Sequence, residues 1–178
     1  MDNTGAEQWT KMYGTTNGDI ALSVQQTSDE GYIIAGWTAS YGAGGNDVYL
    51  LKVDNTGATQ WTKTYGGADD EVGISVQQTS DGGYIIAGYT ESYGAGGSDV
   101  YLIKVGNTGA EQWIKIYGGT DDDRCRSVQQ TSDGGYIITG WTASYGAGRA
   151  DVYLIKVDNA GAAQWTKTYG GGNNDFSR

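Results

Sequence analysis

Apolar and polar residues alternate along this chain in short runs, each closed by a cluster of Gly, Asn, Asp, Ser or Thr. No segment keeps a 3.6-residue apolar period over the length of a helix, so the pattern predicts strands and turns. In the middle of the chain it predicts strands over 72–79, Tyr84–Thr90, Asp99–Val105 and Glu111–Tyr117. Ser80-Asp81-Gly82-Gly83 and Gly106-Asn107-Thr108-Gly109 are turn signals, because Asp accepts local backbone hydrogen bonds and Gly tolerates positive φ. A longer Gly-rich stretch, 91–98, joins the second strand to the third. These two strands are apolar on both faces: Ile85 and Ala87 alternate with Tyr84 and Ile86, and Val100 and Leu102 with Tyr101, Ile103 and Val105. A sheet of this kind has to be covered on both sides. The fourth strand is more polar, as in Trp61-Thr62-Lys63-Thr64, and is expected at an outer edge.

The same pattern recurs without gaps. Residues 2–53, 54–105 and 106–157 align at a period of about 52, and 158–178 begin another copy. Units of one supersecondary type bury their faces against their neighbours. Four antiparallel strands per unit, both faces covered and a polar outer edge describe a β-propeller blade, with a stacked β-solenoid as the alternative. The expected fold is all-β. Residues 1–19 hold an outer strand over 6–13 and a linker, 20–71, 72–123 and 124–175 are full blades, and Phe176-Ser177-Arg178 opens a further inner strand.

Composition removes several functions. The chain of 178 residues has no His, no Pro and one Cys, Cys125. A Ser-His-Asp triad, a Cys-His pair, a histidine metal ligand and an internal disulfide are therefore excluded. A net charge of -10 argues against nucleic acid, whose binding needs a basic surface. No apolar run is long enough for a membrane-spanning helix, so no membrane insertion is expected.

The Gly–Trp spacing carries a family resemblance. Thr4-Gly5 precede Trp9, Thr56-Gly57 precede Trp61, and Thr108-Gly109 precede Trp113; Gly161 and Trp165 keep the spacing, with Ala160 in place of Thr. The unit resembles the tandem β-propeller repeats of secreted or surface-exposed bacterial and archaeal proteins, and is similar to pyrroloquinoline-quinone-type propeller blades. The resemblance implies that this Gly and Trp dock one blade on the next, and that the protein is extracellular or on the cell surface. Leu51 and Val53 depart from the small and acidic residues of that pattern. From the docking role, Trp61 and Trp113 are expected to be largely buried.

Strand parity gathers the second-to-third loops and the blade-to-blade linkers on one face. That face would collect Tyr41, Tyr93 and Tyr145, with Asp47, Asp99 and Asp151 close by, and the acidic linkers 69–71 and 121–123. Exposed aromatic rings beside carboxylates suit sugars, since the ring covers the apolar face of a pyranose and the polar groups fix its hydroxyls. The competing reading is that these aromatics, and Trp37, Tyr89 and Trp141 beneath them, pack between blades. The acidic runs lack the alternating ligand spacing of an EF-hand, so no metal is assigned. The Gly-rich loops lack the Lys-Ser/Thr of a phosphate loop, and no cofactor is expected. Arg124 and Arg126 interrupt an otherwise apolar inner strand; two residues apart, they are expected to face one way, toward a central channel, and to meet the linker carboxylates. Cys125 is expected to be a small packing residue.

The carboxylates repeat in every unit, which points to structure and not to one catalytic centre. The sequence therefore supports a non-enzymatic extracellular module for adhesion, carbohydrate binding or scaffolding. The alternatives are a self-assembling structural unit without ligand and an enzyme domain. Uncovered apolar faces at both ends predict a homo-oligomer, with two chains closing a six-bladed ring favoured over a larger ring or filament.

Overall fold

The computed structural model describes residues 4–175. Twelve strands form the fold: β1 (Asp19–Gln26), β2 (Tyr32–Thr38), β3 (Asp47–Val53), β4 (Thr59–Tyr65), β5 (Glu71–Gln78), β6 (Tyr84–Thr90), β7 (Asp99–Val105), β8 (Glu111–Tyr117), β9 (Asp123–Gln130), β10 (Tyr136–Thr142), β11 (Asp151–Val157) and β12 (Ala163–Tyr169). They make three four-stranded antiparallel sheets, β1–β4, β5–β8 and β9–β12, each in sequence order. The sheets are spaced about 52 residues apart and are propeller blades. The inner strands β1, β5 and β9 neighbour one another, and β4, β8 and β12 lie at the outer edges.

Each inner strand carries a bulge at the same place. The register skips Leu22 in β1, Ile74 in β5 and Arg126 in β9. A bulge re-aims its residue and steepens the local twist. The bulge therefore breaks the two-residue alternation that would turn Arg124 and Arg126 the same way.

Blade faces meet in two apolar layers. Ile33, Ala35, Val48 and Leu50 of the first blade pack with Tyr84, Ile86, Tyr101 and Ile103 of the second. Ile85, Ala87, Val100 and Leu102 of the second blade pack with Tyr136, Ile138, Tyr153 and Ile155 of the third. The middle blade is covered on both sides, and every residue of β7 is buried. The flanking blades alternate instead: β2 leaves Tyr32 and Ile34 half-buried, whereas β10 leaves Ile137 and Thr139 half-buried. Opposite faces are thus uncovered at the two ends. The effect of a missing neighbour is seen at one repeated valine, where Val24 is 65 % exposed and its counterparts Val76 and Val128 are 7 % and 3 % exposed.

Residues 6–13 are not a strand. An outer strand needs the third strand of its own blade as a ladder partner, and the described residues hold none for this segment. It nevertheless lies against the first blade. The Trp9 indole Nε1 donates to the Asn55 carbonyl at 2.9 Å, and the Tyr13 hydroxyl to the Gly57 carbonyl at 2.7 Å. The expected further inner strand, 176–178, lies outside the described residues.

Candidate functional site

The loop face is built where a blade-to-blade linker meets the β2–β3-type loops of the blades on either side. The linker 66–70 receives the Gly45 amide on Ala68 and the Glu91 amide on Asp70. Asp70 also accepts the Asn46 amide at 2.8 Å, and in the next junction Asp122 accepts the Ser98 amide at 2.9 Å. These linker acids are backbone acceptors that close the junction.

The three loop tyrosines stand at equivalent positions, each partly open to solvent. Tyr93 stacks on Tyr101 at a centroid separation of 6.2 Å, and Tyr41 on Tyr49 at 6.3 Å; Tyr145 meets Tyr153 in a tilted contact at 5.8 Å. The Tyr93 hydroxyl donates to the Gly66 carbonyl at 3.1 Å, and that of Tyr145 to the Gly118 carbonyl at 2.6 Å. Both hydroxyls therefore tie a loop to the linker that precedes its own blade. Each ring has one side set against a second tyrosine.

Asp47, Asp99 and Asp151 do not stand beside those rings as exposed acids. All three are buried. Their Oδ2 atoms accept the amides of Ala43, Ala95 and Ala147 at 2.9, 3.0 and 2.7 Å, which folds each Gly-rich loop over its own carboxylate. The reason is local: the acid opens a strand just after a tight loop whose amides point inward, and burial of those amides requires an acceptor. Each acid then faces a second one across a glycine. Asp47 and Glu71 flank Gly66, Asp99 and Asp123 flank Gly118, and Asp151 and Asp175 flank Gly170, in each case with no room for a side chain. Burial, reinforced by the facing Glu71, raises the pKa of Asp47; burial, with Asp123 and Asp122 nearby, raises that of Asp99. Glu71 and Asp123 accept the amides of Gly67 and Gly119 at 2.6 and 2.7 Å, fixing the linkers. Among the described residues no three His, Cys, Asp or Glu side chains converge on one point.

Among the described residues Arg124 pairs with an acid of a second-to-third loop and not with the linker carboxylates 121–123. It reaches back to the preceding blade, donating to Ser98 Oγ at 2.8 Å, approaching Glu91 at 3.4 Å and lying 4.2 Å from the centroid of the Tyr89 ring. The planar guanidinium suits that combination of stacking and hydrogen bonding. Arg126, displaced by the bulge, is exposed. Between them Cys125 is fully buried, and burial pushes its thiol up to about 12.

The docking pairs recur with one geometry. Trp61 lies against Gly109 and at 5.9 Å from Tyr84, and Trp113 lies against Gly161 and at 5.9 Å from Tyr136. Trp9 meets Gly57 and lies 6.1 Å from Tyr32. Gly5 has no neighbour of this kind, and Trp165 is 42 % exposed. Trp61 and Trp113 are mostly covered but not fully buried, each packed against the apolar layer between its own blade and the next. The tyrosines that close the outer strands complete the joint, Tyr65 donating to the Gly109 carbonyl at 2.6 Å and Tyr117 to the Gly161 carbonyl at 2.5 Å.

One repeated arrangement was missed in the sequence. Lys52, Lys104 and Lys156 are buried on the third strand of each blade. Their ammonium groups meet Asp29, Asp81 and Asp133 of the first hairpin turn at 2.9, 3.0 and 2.9 Å, and each also donates to the next carbonyl, of Val53, Val105 or Val157. The signal was a Lys at the same place in an otherwise apolar run in every copy, each with an Asp in the same preceding turn.

No protein-family model matches the chain. It is 26 % identical over 157 residues to the regulatory protein FlaEY of Caulobacter vibrioides, an alignment covering 74 % of this chain and 16 % of that protein. The chain thus spans about a sixth of that relative's length. In structure it is similar to a protein of unknown function from Bacteroides caccae, with a TM-score of 0.51 over 95 % of this chain and 73 % of the other, at 11 % sequence identity. That likeness is one of fold. No helix here is long and apolar enough to cross a membrane among the described residues.

Proposed function

We propose that the protein is a non-enzymatic scaffold module, an array of propeller blades that extends head to tail by stacking its uncovered end faces on a second copy. The observation that carries this reading is the complementarity of those faces. The first blade offers Tyr32, Ile34 and Tyr49, equivalent to Tyr84, Ile86 and Tyr101, and the third offers Ile137, Val152 and Leu154, equivalent to Ile85, Val100 and Leu102. Each end therefore holds one half of an interface that the chain already makes twice within itself. Burial of such faces is favourable by about 25 cal/mol per Å² of apolar surface. A two-chain ring of six blades fits the common size range of propellers, and imperfect closure would give a filament. Sedimentation at low micromolar concentration tests the proposal. A particle of two or more chains is expected; a monodisperse 18.8 kDa species with cooperative unfolding overturns it.

A second reading, glycan binding on the loop face, is supported by the exposed edges of Tyr41, Tyr93 and Tyr145. It has to do without Asp47, Asp99 and Asp151, which are buried. Alanine at all three tyrosines should then abolish retention on a glycan panel while the fold persists; no retention by the parent protein removes this reading. An extracellular or surface setting belongs to the same proposal and rests on the sequence resemblance.

A further inference from the structure

Two segments of this chain have nearly the same sequence and fit one seat. Residues 6–14 read AEQWTKMYG and residues 162–170 read AAQWTKTYG. The second segment contains β12, paired along its length with β11. The first has no ladder at all and is held to the blade by side-chain ends, through Trp9 on Tyr32 and Gly57 and through its bonds to Asn55 and Gly57. Those contacts reproduce what β4 gives the second blade, where Trp61 meets Tyr84 and Gly109 and Tyr65 bonds the Gly109 carbonyl. The seat on the first blade is the one that an outer strand of a preceding blade takes. Meanwhile Trp165 and Tyr169 of β12, the residues shaped for such a seat, are 42 % and 52 % exposed.

We infer that residues 6–14 are an internal plug: they fill the seat on the first blade that β12 of a second copy must occupy, so that copies join only by exchanging one segment for the other. The inference rests on the head-to-tail reading above and adds its control element. At the seat itself the exchange is nearly neutral, since Trp165 and Tyr169 replace Trp9 and Tyr13 in the same contacts. The gain comes from elsewhere, from covering Ile20, Leu22, Val24 and Ile34 of one copy with Ile137, Val152 and Leu154 of the next. The plug is also the easier segment to displace. It leaves behind no strand pairing, and Met12, where β12 has Thr168, is almost wholly in solvent. A binding-competent form populated only while the plug is out lowers the apparent affinity by that fraction.

The test compares assembly of full-length Trp9→Ala, Tyr13→Phe and Trp165→Ala proteins by sedimentation over a concentration series. Trp9→Ala should lower the concentration at half-assembly by about tenfold or more, and Tyr13→Phe should lower it by less, because the seat is vacated more often. Trp165→Ala should raise it by about tenfold while changing the melting temperature of the unassembled chain far less than Trp61→Ala does, since among the described residues that indole docks on no glycine of another blade. A parent that assembles and is unaffected or weakened by Trp9→Ala overturns the plug and leaves the scaffold reading standing. Absence of assembly in the parent and in every variant overturns the scaffold reading itself.

Discussion

A Cβ placed on Gly109 would lie 2.9 Å from Cζ3 of Trp61, in the neighbouring blade. The glycine backbone is at φ 73°, in the left-handed region, so its lack of a side chain serves both the turn and the indole that covers it.

Replacing Gly109 by Ala should therefore act twice, through backbone strain of about 1–2 kcal/mol and through a clash that lifts Trp61 from the second blade. Trp61→Ala should cost somewhat less than the ~3–5 kcal/mol that a fully buried Trp carries, because most but not all of the indole is covered. Gly5→Ala, which meets no indole, should show the strain alone at most. Chemical denaturation of the three variants measures the ranking; equal effects at Gly5 and Gly109 would contradict the docking role.

Glu30 is the one non-glycine residue at positive φ among the described residues, at 66°, where the other two blades have Gly82 at 80° and Gly134 at 82°. A side chain at those glycines would meet nothing within 4 Å, so the strain at Glu30 is of the backbone and not of packing. Glu30→Gly should stabilise the protein by about 1 kcal/mol. Gly82→Glu should destabilise it by a similar amount. Denaturant midpoints at unchanged slope check both.

Stability should pass through a maximum in mild acid. Asp29 is held down to about 2 by the Thr27 hydroxyl first and the Lys52 ammonium next; Asp81 reaches about 2 because the Thr79 hydroxyl, the Gly83 amide and Lys104 together outweigh its burial. These depressed groups contribute stability that is present above the ordinary pKa of ~4 and lost as pH falls through about 2. Asp47 and Asp99 are raised, so their contribution is present below ~4 and is lost as pH rises through their raised values. Melting temperatures recorded between about pH 2 and 8 should rise on acidification and then fall. Asp99→Asn should flatten the upper limb and Asp81→Asn the lower one. A steady fall from neutral pH downward in the parent would sink this account.

Cys125 should resist thiol reagents in the folded protein. It is fully buried, its thiol is pushed up to about 12 by that burial, and its sulfur lies 3.5 Å from the Ser127 carbonyl. Labelling by a chromogenic disulfide reagent should track local opening and become rapid only in denaturant. Labelling of the native protein at the rate of a free cysteine would contradict the buried placement.

Much of this molecule was written into its periodicities. The repeat of about 52 residues, the two-sided apolar strands and the Asp-Gly turns determined the all-β blades, and β6, β7 and β8 fall on the segments that the pattern marked. Local chemistry sufficed there, because strand register and turn type depend on neighbours in the chain. Three features belonged to the tertiary structure. Residues 6–13 have the sequence of an outer strand and are not one, since a strand exists only with a ladder partner. Asp47 and its equivalents look like exposed loop acids and are buried, since the Gly-rich loops turn their amides inward. Arg124 finds Tyr89, Ser98 and Glu91 on another blade, while a bulge sends Arg126 to solvent. Such partners are distant in sequence, and no periodicity of one strand records which atoms of the next blade it will meet.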